Sequence, residues 1–303
     1  LGCHLWFASG VPSPEQAPTP EAKHLAEQAE LQADRNRAYD AKNRELHRSV
    51  VLRLTEQIQN CILVHQQPNA RIARSGNLDP ERVWRAPLLD DSRVFRCAEE
   101  ENQPSFTVDL LLDASASRLH CQEDIAAQGY ILAKSLAACG IPVRITSFCS
   151  LRGYTVLRIL KDFGDKNGER KVFDYFAAGW NRDGLALRAA GDLLDFDPGP
   201  APRHLLILLT DASPNDSRRI PPSPENPLGC GYEDAAGVAD TAAQVRALQR
   251  MGIRVSAVFM GEDRSAADAV RIYGKNMARI RGMDQLARAA GRLIQNEIRE
   301  LGD

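Results

Sequence analysis

Two apolar runs that each stop at a carboxylate constrain this chain more than any other feature. Phe106 to Leu112 runs into Asp113, and His204-Leu-Leu-Ile-Leu-Leu-Thr210 runs into Asp211. Runs this short are too brief for independent helices and suit strands buried on both faces of a parallel sheet. The first leads directly into Asp113-Ala-Ser-Ala-Ser117, which sets one carboxylate and two hydroxyls beyond the strand's carboxyl end. In open α/β sheets ligands bind there, where the winding order reverses. With the two strands side by side at that point, Asp113 and Asp211 face each other with the Ser115 and Ser117 hydroxyls between them. An oxygen-only set of this kind suits a hard cation, Mg²⁺ above all. Taken alone, Asp113, Ser115 and Ser117 also read as caps of the following helix.

From Phe106 onward strand and helix signals alternate, as a doubly wound sheet requires. Strands are expected at 106–112, 142–149, 154–160, 204–210 and 253–260, with a weak last one near 277–281. Helices are expected over Glu123 to Cys139, Gly184 to Leu194, Val238 to Met251 and Asp284 to Leu301. The link from Ser150 to Gly153 has no room for a helix, so the strands it joins form an antiparallel hairpin. The expected class is α/β: a doubly wound, mostly parallel sheet with one antiparallel edge strand, spanning 105–303.

Residues 1–20 read as a flexible lead-in, since Val11 to Pro20 carries four prolines in ten residues. Residues 21–104 read as a helical region and a bridge. Leu46, Val50, Leu54, Ile58 and Ile62 recur every fourth residue, a stripe that must bury itself in a helical hairpin, against the next domain, or on a partner. Gln66 to Gln103 is irregular and arginine-rich. After the fourth main strand comes an irregular insertion with five prolines from Pro214 to Pro227. Asp216, Glu233 and Asp234 lie on or beside it, to order the loop or to border the metal site.

The Asp113-x-Ser-x-Ser117 string followed by Thr210-Asp211 resembles the metal-ion-dependent adhesion site of von Willebrand factor type A domains. Longer strings, Trp180-Asn-Arg-Asp-Gly-Leu-Ala-Leu-Arg188, Leu209-Thr-Asp-Ala-Ser-Pro-Asn-Asp216 and Tyr232-Glu-Asp234, resemble the bacterial nitric-oxide reductase activation proteins and their relative, the T subunit of cobaltochelatase. Arg74-Ser-Gly-Asn-Leu-Asp79 adds to that likeness. The resemblance covers roughly residues 70–303. It implies metal ligands Asp113, Ser115, Ser117, Asn181 from a middle loop, and Asp211 through water, with Asp183, Asp216, Glu233 and Asp234 as supporting candidates. Coordination by Asp183 as well would favour Ca²⁺ or Mn²⁺ over Mg²⁺. Ala116 and Ala212 stand where relatives often carry Gly, so these loops hold an ordinary backbone or accept strain.

The function so implied is a non-enzymatic, Mg²⁺-dependent protein-binding module that works with a MoxR-type AAA+ ATPase to activate, or load a cofactor into, a metalloenzyme. The ion's open position would take an Asp or Glu of that partner. Two alternatives stand beside it, a cobalt or magnesium chelatase subunit and a metal-dependent phosphohydrolase. The latter usually wants a second Asp where Ser115 stands. The formal net charge of -2 gives no reason to expect nucleic acid as partner. Seven cysteines without a Cys-x-x-Cys pair argue against a disulfide framework or thiolate zinc site, and a reducing cytoplasm fits them. No stretch approaches a membrane span, Leu1 to Gly10 lacks the marks of a signal peptide, and the start at Leu1 reads as a trimmed chain. His120 with Glu123 reads as helix-end chemistry, and without a Gly-x-x-x-x-Gly-Lys-Ser/Thr loop the chain should not hydrolyse ATP itself.

Overall fold

The computed structural model describes residues 4–10, 13–65, 70–89, 91–98, 106–222 and 227–302. Its centre is a sheet of β1 (His4–Ser9), β2 (Thr107–Asp113), β3 (Val143–Leu151), β4 (Tyr154–Lys161), β5 (His204–Thr210), β6 (Arg254–Phe259) and β7 (Met277–Arg279). The spatial order is β1-β4-β3-β2-β5-β6-β7. Strands β3, β2, β5, β6 and β7 run parallel, and β4 is antiparallel to β3. The chain winds outward from β2 to one side, then returns to β5 and winds to the other. The reversal therefore falls between β2 and β5, and Asp113 and Asp211 lie at their carboxyl ends.

Alternation along β2 decides which layer each side chain joins. Val108, Leu110 and Leu112 enter a core with α2 (Arg44–His65), α3 (Gln122–Ala138) and α7 (Met283–Gly302). Leu111 enters the opposite core with α4 (Asp183–Phe196), α5 (Asp234–Arg250) and α6 (Ala266–Tyr273). Both faces are covered, as a parallel sheet demands. The class expected from the sequence, a doubly wound and mostly parallel sheet preceded by helices, is the class observed. The short α6 was not anticipated.

Three details depart from expectation. The hairpin strand β4 is not the end of the sheet, because β1 pairs parallel to it from His4↔Tyr154 to Ser9↔Ile159. The expected flexible lead-in thus contains a strand, held mainly by backbone bonds: its burial is slight, and Trp6 and Phe7 stay exposed. The bridge holds a small antiparallel sheet of Ala70–Ala73, Phe95–Ala98 and Asn77–Leu78. Residues 66–69, 90 and 99–105 of that bridge lie outside the described residues. Within the insertion, Asp216–Ile220 and Cys230–Tyr232 pair as an antiparallel ribbon.

The middle of the stripe on α2 is buried on the protein's own core, with Val50, Leu54 and Ile58 packed beside α3 and α7 and Ile62 partly buried there, while Leu46 stays exposed. The preceding α1 (Pro20–Lys42) is mostly polar and docks by hydrogen bonds instead. Asn36 is fully buried and donates through Nδ2 to the carbonyls of Phe173 and Tyr175, each at 2.9 Å. Gln32 donates to Glu123 Oε1 at 3.0 Å. Among the described residues no helix is long and apolar enough to cross a membrane.

Candidate metal centre

Asp113 ends β2 and is fully buried. Its Oδ1 accepts the Ser115 N–H at 3.0 Å, which turns the chain back over the strand end, while its Oδ2 has no partner. The Ser115 and Ser117 hydroxyls are 2.9 Å apart, and Ser117 Oγ donates to Asp211 Oδ2 at 2.9 Å. Ser115 is buried and Ser117 exposed, so the cluster opens to the surface at Ser117. Asp211 follows β5, and its Oδ1 accepts the Ser213 N–H at 3.1 Å. The structure therefore brings Asp113, Ser115, Ser117 and Asp211 together. Neither hydroxyl caps a helix: Ser115 precedes a short 3-10 turn without a side-chain bond to it, and Cys121 occupies the N-cap of α3. Ala116 keeps an ordinary backbone within that turn. Ala212 does not, and sits at φ 53°, a conformation that costs an alanine about 1 kcal/mol.

The middle loop is laced to both neighbours. Gly179 O accepts the Ala116 N–H at 2.8 Å, Trp180 N–H donates to Ser150 O at 2.8 Å, and Asn181 N–H donates to Asn215 O at 2.8 Å. The Asn181 side chain continues the lacing: Nδ2 donates to Asp183 Oδ1 at 3.0 Å and to Ser213 O at 3.2 Å, and Oδ1 accepts the Asn215 N–H at 3.3 Å. Asp183, the first residue of α4, is fully buried with Oδ2 unpartnered. The free oxygen of this loop thus belongs to Asp183, while the Asn181 amide serves as a cross-brace. Gly179 is at φ 71°, and a Cβ there would meet Ser150 O at 2.4 Å. Gly179→Ala should therefore cost on the order of 1–3 kcal/mol in chemical denaturation. A variant as stable as the parent would show that the loop is free to shift.

The electrostatics are lopsided. Burial pushes the Asp113 carboxyl up to about 7, the Asp211 charge adds to the rise, and Arg118 and the Ser115 bonds oppose it. Burial, then the charges of Asp113 and Asp211, raise Asp183 well above the usual carboxylate range. The Tyr273 hydroxyl is buried, unpartnered and driven up by its burial and the same three carboxylates. Arg118 is the cation that opposes this potential: Nε donates to Ser117 Oγ at 3.3 Å and Nη2 bonds Asp211 Oδ2. Among the described residues no three His, Cys, Asp or Glu side chains converge to hold an ion by themselves. Carboxylate and hydroxyl oxygens together do suit a hard cation. The unpartnered Asp113 Oδ2 and Asp183 Oδ2 are the observation that fits, since buried lone pairs without a donor are costly unless a cation meets them.

The supporting candidates divide. Asp216 pairs with Arg182 at 3.0 Å and accepts the Arg218 N–H at 3.2 Å. The Arg182 guanidinium lies 4.3 Å from the Tyr232 ring centroid. The Tyr232 hydroxyl accepts the Gly184 N–H at 3.1 Å and donates to Asp240 Oδ2 at 2.8 Å. Glu233 and Asp234 are exposed at the start of α5, unlike the buried carboxylates of the cluster. Sequence reasoning missed Arg118 and also Tyr175, whose hydroxyl donates to Asp113 O at 2.5 Å. The signal for Arg118 was its position, directly after the second serine.

No family model and no curated protein matches the chain. Among solved structures, the vWF domain of the type V pili tip protein Mfa5 from Porphyromonas gingivalis is similar at TM-score 0.46 and 11% identity, over 66% of this chain and 97% of that one. Proximal thread matrix protein 1 from the mussel byssus gives 0.45 and 13%, over 65% and 47%. Manganese-loaded Plasmodium vivax TRAP protein gives 0.44 and 15%, over 64% and 74%.

Proposed function

We propose that this chain is a metal-dependent protein-docking module. Asp113, Ser115, Ser117 and Asp211 hold one divalent hard cation, Mg²⁺ or Mn²⁺, beneath the opening at Ser117, and Asp183 Oδ2 borders it as an acceptor for a water on the ion. The observation that carries the reading is the pair of buried, unpartnered oxygens, Asp113 Oδ2 and Asp183 Oδ2, where the winding of the sheet reverses. Hydroxyl ligands add no negative charge, so the ion remains attractive to one further carboxylate, supplied by a partner protein. The work done is recognition, not bond breaking.

The finer reading is that the companion is a MoxR-type AAA+ ATPase and the target a metalloenzyme, as in the nitric-oxide reductase activation group. It rests on the strings around Trp180, Leu209 and Tyr232. The geometry gives those strings a common role: Arg182, Asp216, Tyr232 and Gly184 bond or stack with one another. They form a frame on which Asp183 is set. Full-length chain immobilised in Mg²⁺ should retain such an ATPase and release it in EDTA, and retention unaltered by chelator would end the docking reading.

A further inference from the structure

Ser117 Oγ has no lone pair to spare. A hydroxyl offers one proton and two acceptor positions. The Ser117 proton goes to Asp211 Oδ2, and its acceptor positions receive the Ser115 hydroxyl at 2.9 Å and Arg118 Nε–H at 3.3 Å. Arg118 Nη2 also holds Asp211 Oδ2. One buried guanidinium therefore engages two of the four residues assigned to the ion, and it carries the same sign of charge.

The guanidinium also has somewhere to go. Arg118 lines a cleft of about 670 Å³ whose other walls include Asp124, Gln128, Asp263 and Arg279. Gln128 is 5% exposed, and its Oε1 is buried with no hydrogen-bond partner. Asp124, whose Oδ1 accepts the Tyr39 hydroxyl at 2.6 Å, stands one helical turn away on the same wall, so a guanidinium released into the cleft meets the second Asp124 oxygen and, once the Gln128 amide turns outward, an acceptor that no other group occupies.

We propose that Arg118 is an exchangeable stand-in cation: it occupies Ser117 and Asp211 when no divalent ion is present, and moves into the cleft toward Gln128 when an ion takes those oxygens. This rests on the ion site proposed above and names the residue that regulates it. Arg118 then sets the threshold at which the site fills, and a filled site has a different cleft from an empty one. A ligand that fills the cleft would hinder the exchange and so weaken ion binding.

Calorimetric titration of Mn²⁺ into full-length wild type and Arg118→Gln tests the exchange. With the competing charge gone, Arg118→Gln should bind Mn²⁺ about tenfold more tightly or better. A second measurement needs no variant to fold. With ¹⁵N-labelled arginine in the wild type, the buried Arg118 Nε–H resonance should move on saturation with diamagnetic Mg²⁺. Equal or weaker Mn²⁺ affinity in Arg118→Gln, or an unmoved resonance at saturating Mg²⁺, overturns the exchange while leaving the ion site standing. If the wild type takes up neither ion, the ion site itself is wrong and the exchange falls with it.

Discussion

Asp113→Asn is expected to remove divalent-ion binding and leave the fold intact. Asparagine keeps the oxygen that accepts the Ser115 N–H at 3.0 Å. It discards a charge that burial and Asp211 both disfavour. In chelator the variant should therefore melt at or above the wild type, because a buried amide is cheaper than a buried, unpartnered carboxylate. With ion present the ranking reverses. Losing one ionic ligand should lower affinity on the order of 100-fold, so that added Mn²⁺ raises the wild-type melting temperature and not that of the variant. Calorimetric titration and paired melts with Mn²⁺ and with EDTA read both halves. Wild-type affinity in the variant would mean that the ion sits elsewhere.

Asp109→Ala should produce the largest loss of stability, on the sheet face away from α3. Asp109 of β2 accepts from Arg144 Nε of β3 at 2.6 Å, and the Arg144 side chain is only 1% exposed. Arg144 Nη1 reaches Asp197 Oδ2 at 3.2 Å and O at 3.3 Å, and its guanidinium lies 4.6 Å from the Phe163 ring centroid. Removing Asp109 leaves the Nε end of a buried guanidinium without its counter-charge, which should cost about 3–5 kcal/mol in denaturant unfolding. The double replacement Asp109→Leu with Arg144→Met removes both charges and should recover most of that loss. A single-variant cost below about 1 kcal/mol would show that hydration or Asp197 already compensates Arg144.

The sheet and its switch point were legible because burial on both faces makes most positions of a strand apolar, the paired Asp109 and Arg144 being exceptions. Leu205 to Leu209 could hardly be anything else. The same logic hid β1, whose Trp6 and Phe7 face solvent and whose place rests on backbone bonds to β4 that no side-chain pattern encodes. It hid α6 as well, eight residues between two loops and too short to build a period. At the site, Asp113, Ser115 and Ser117 were readable because their spacing along the chain is their spacing in one loop, and Asp211 because it ends the second apolar run. The division of labour between Asn181 and Asp183 was not, since it depends on Asn215 and Ser213 arriving from another loop. Arg118 escaped for a related reason: its role is fixed by Asp211, a contact across 93 positions.

The bonds that seat α1 end close to the cluster. Asn36 grips the carbonyls of Phe173 and Tyr175, and the Tyr175 hydroxyl grips the backbone of Asp113. Two side chains thus make a tether from the protein's leading helix to the floor of the ion loop. Freeing that helix would slacken the floor in the same stroke, so the seating of α1 bears directly on how firmly the ion loop is held.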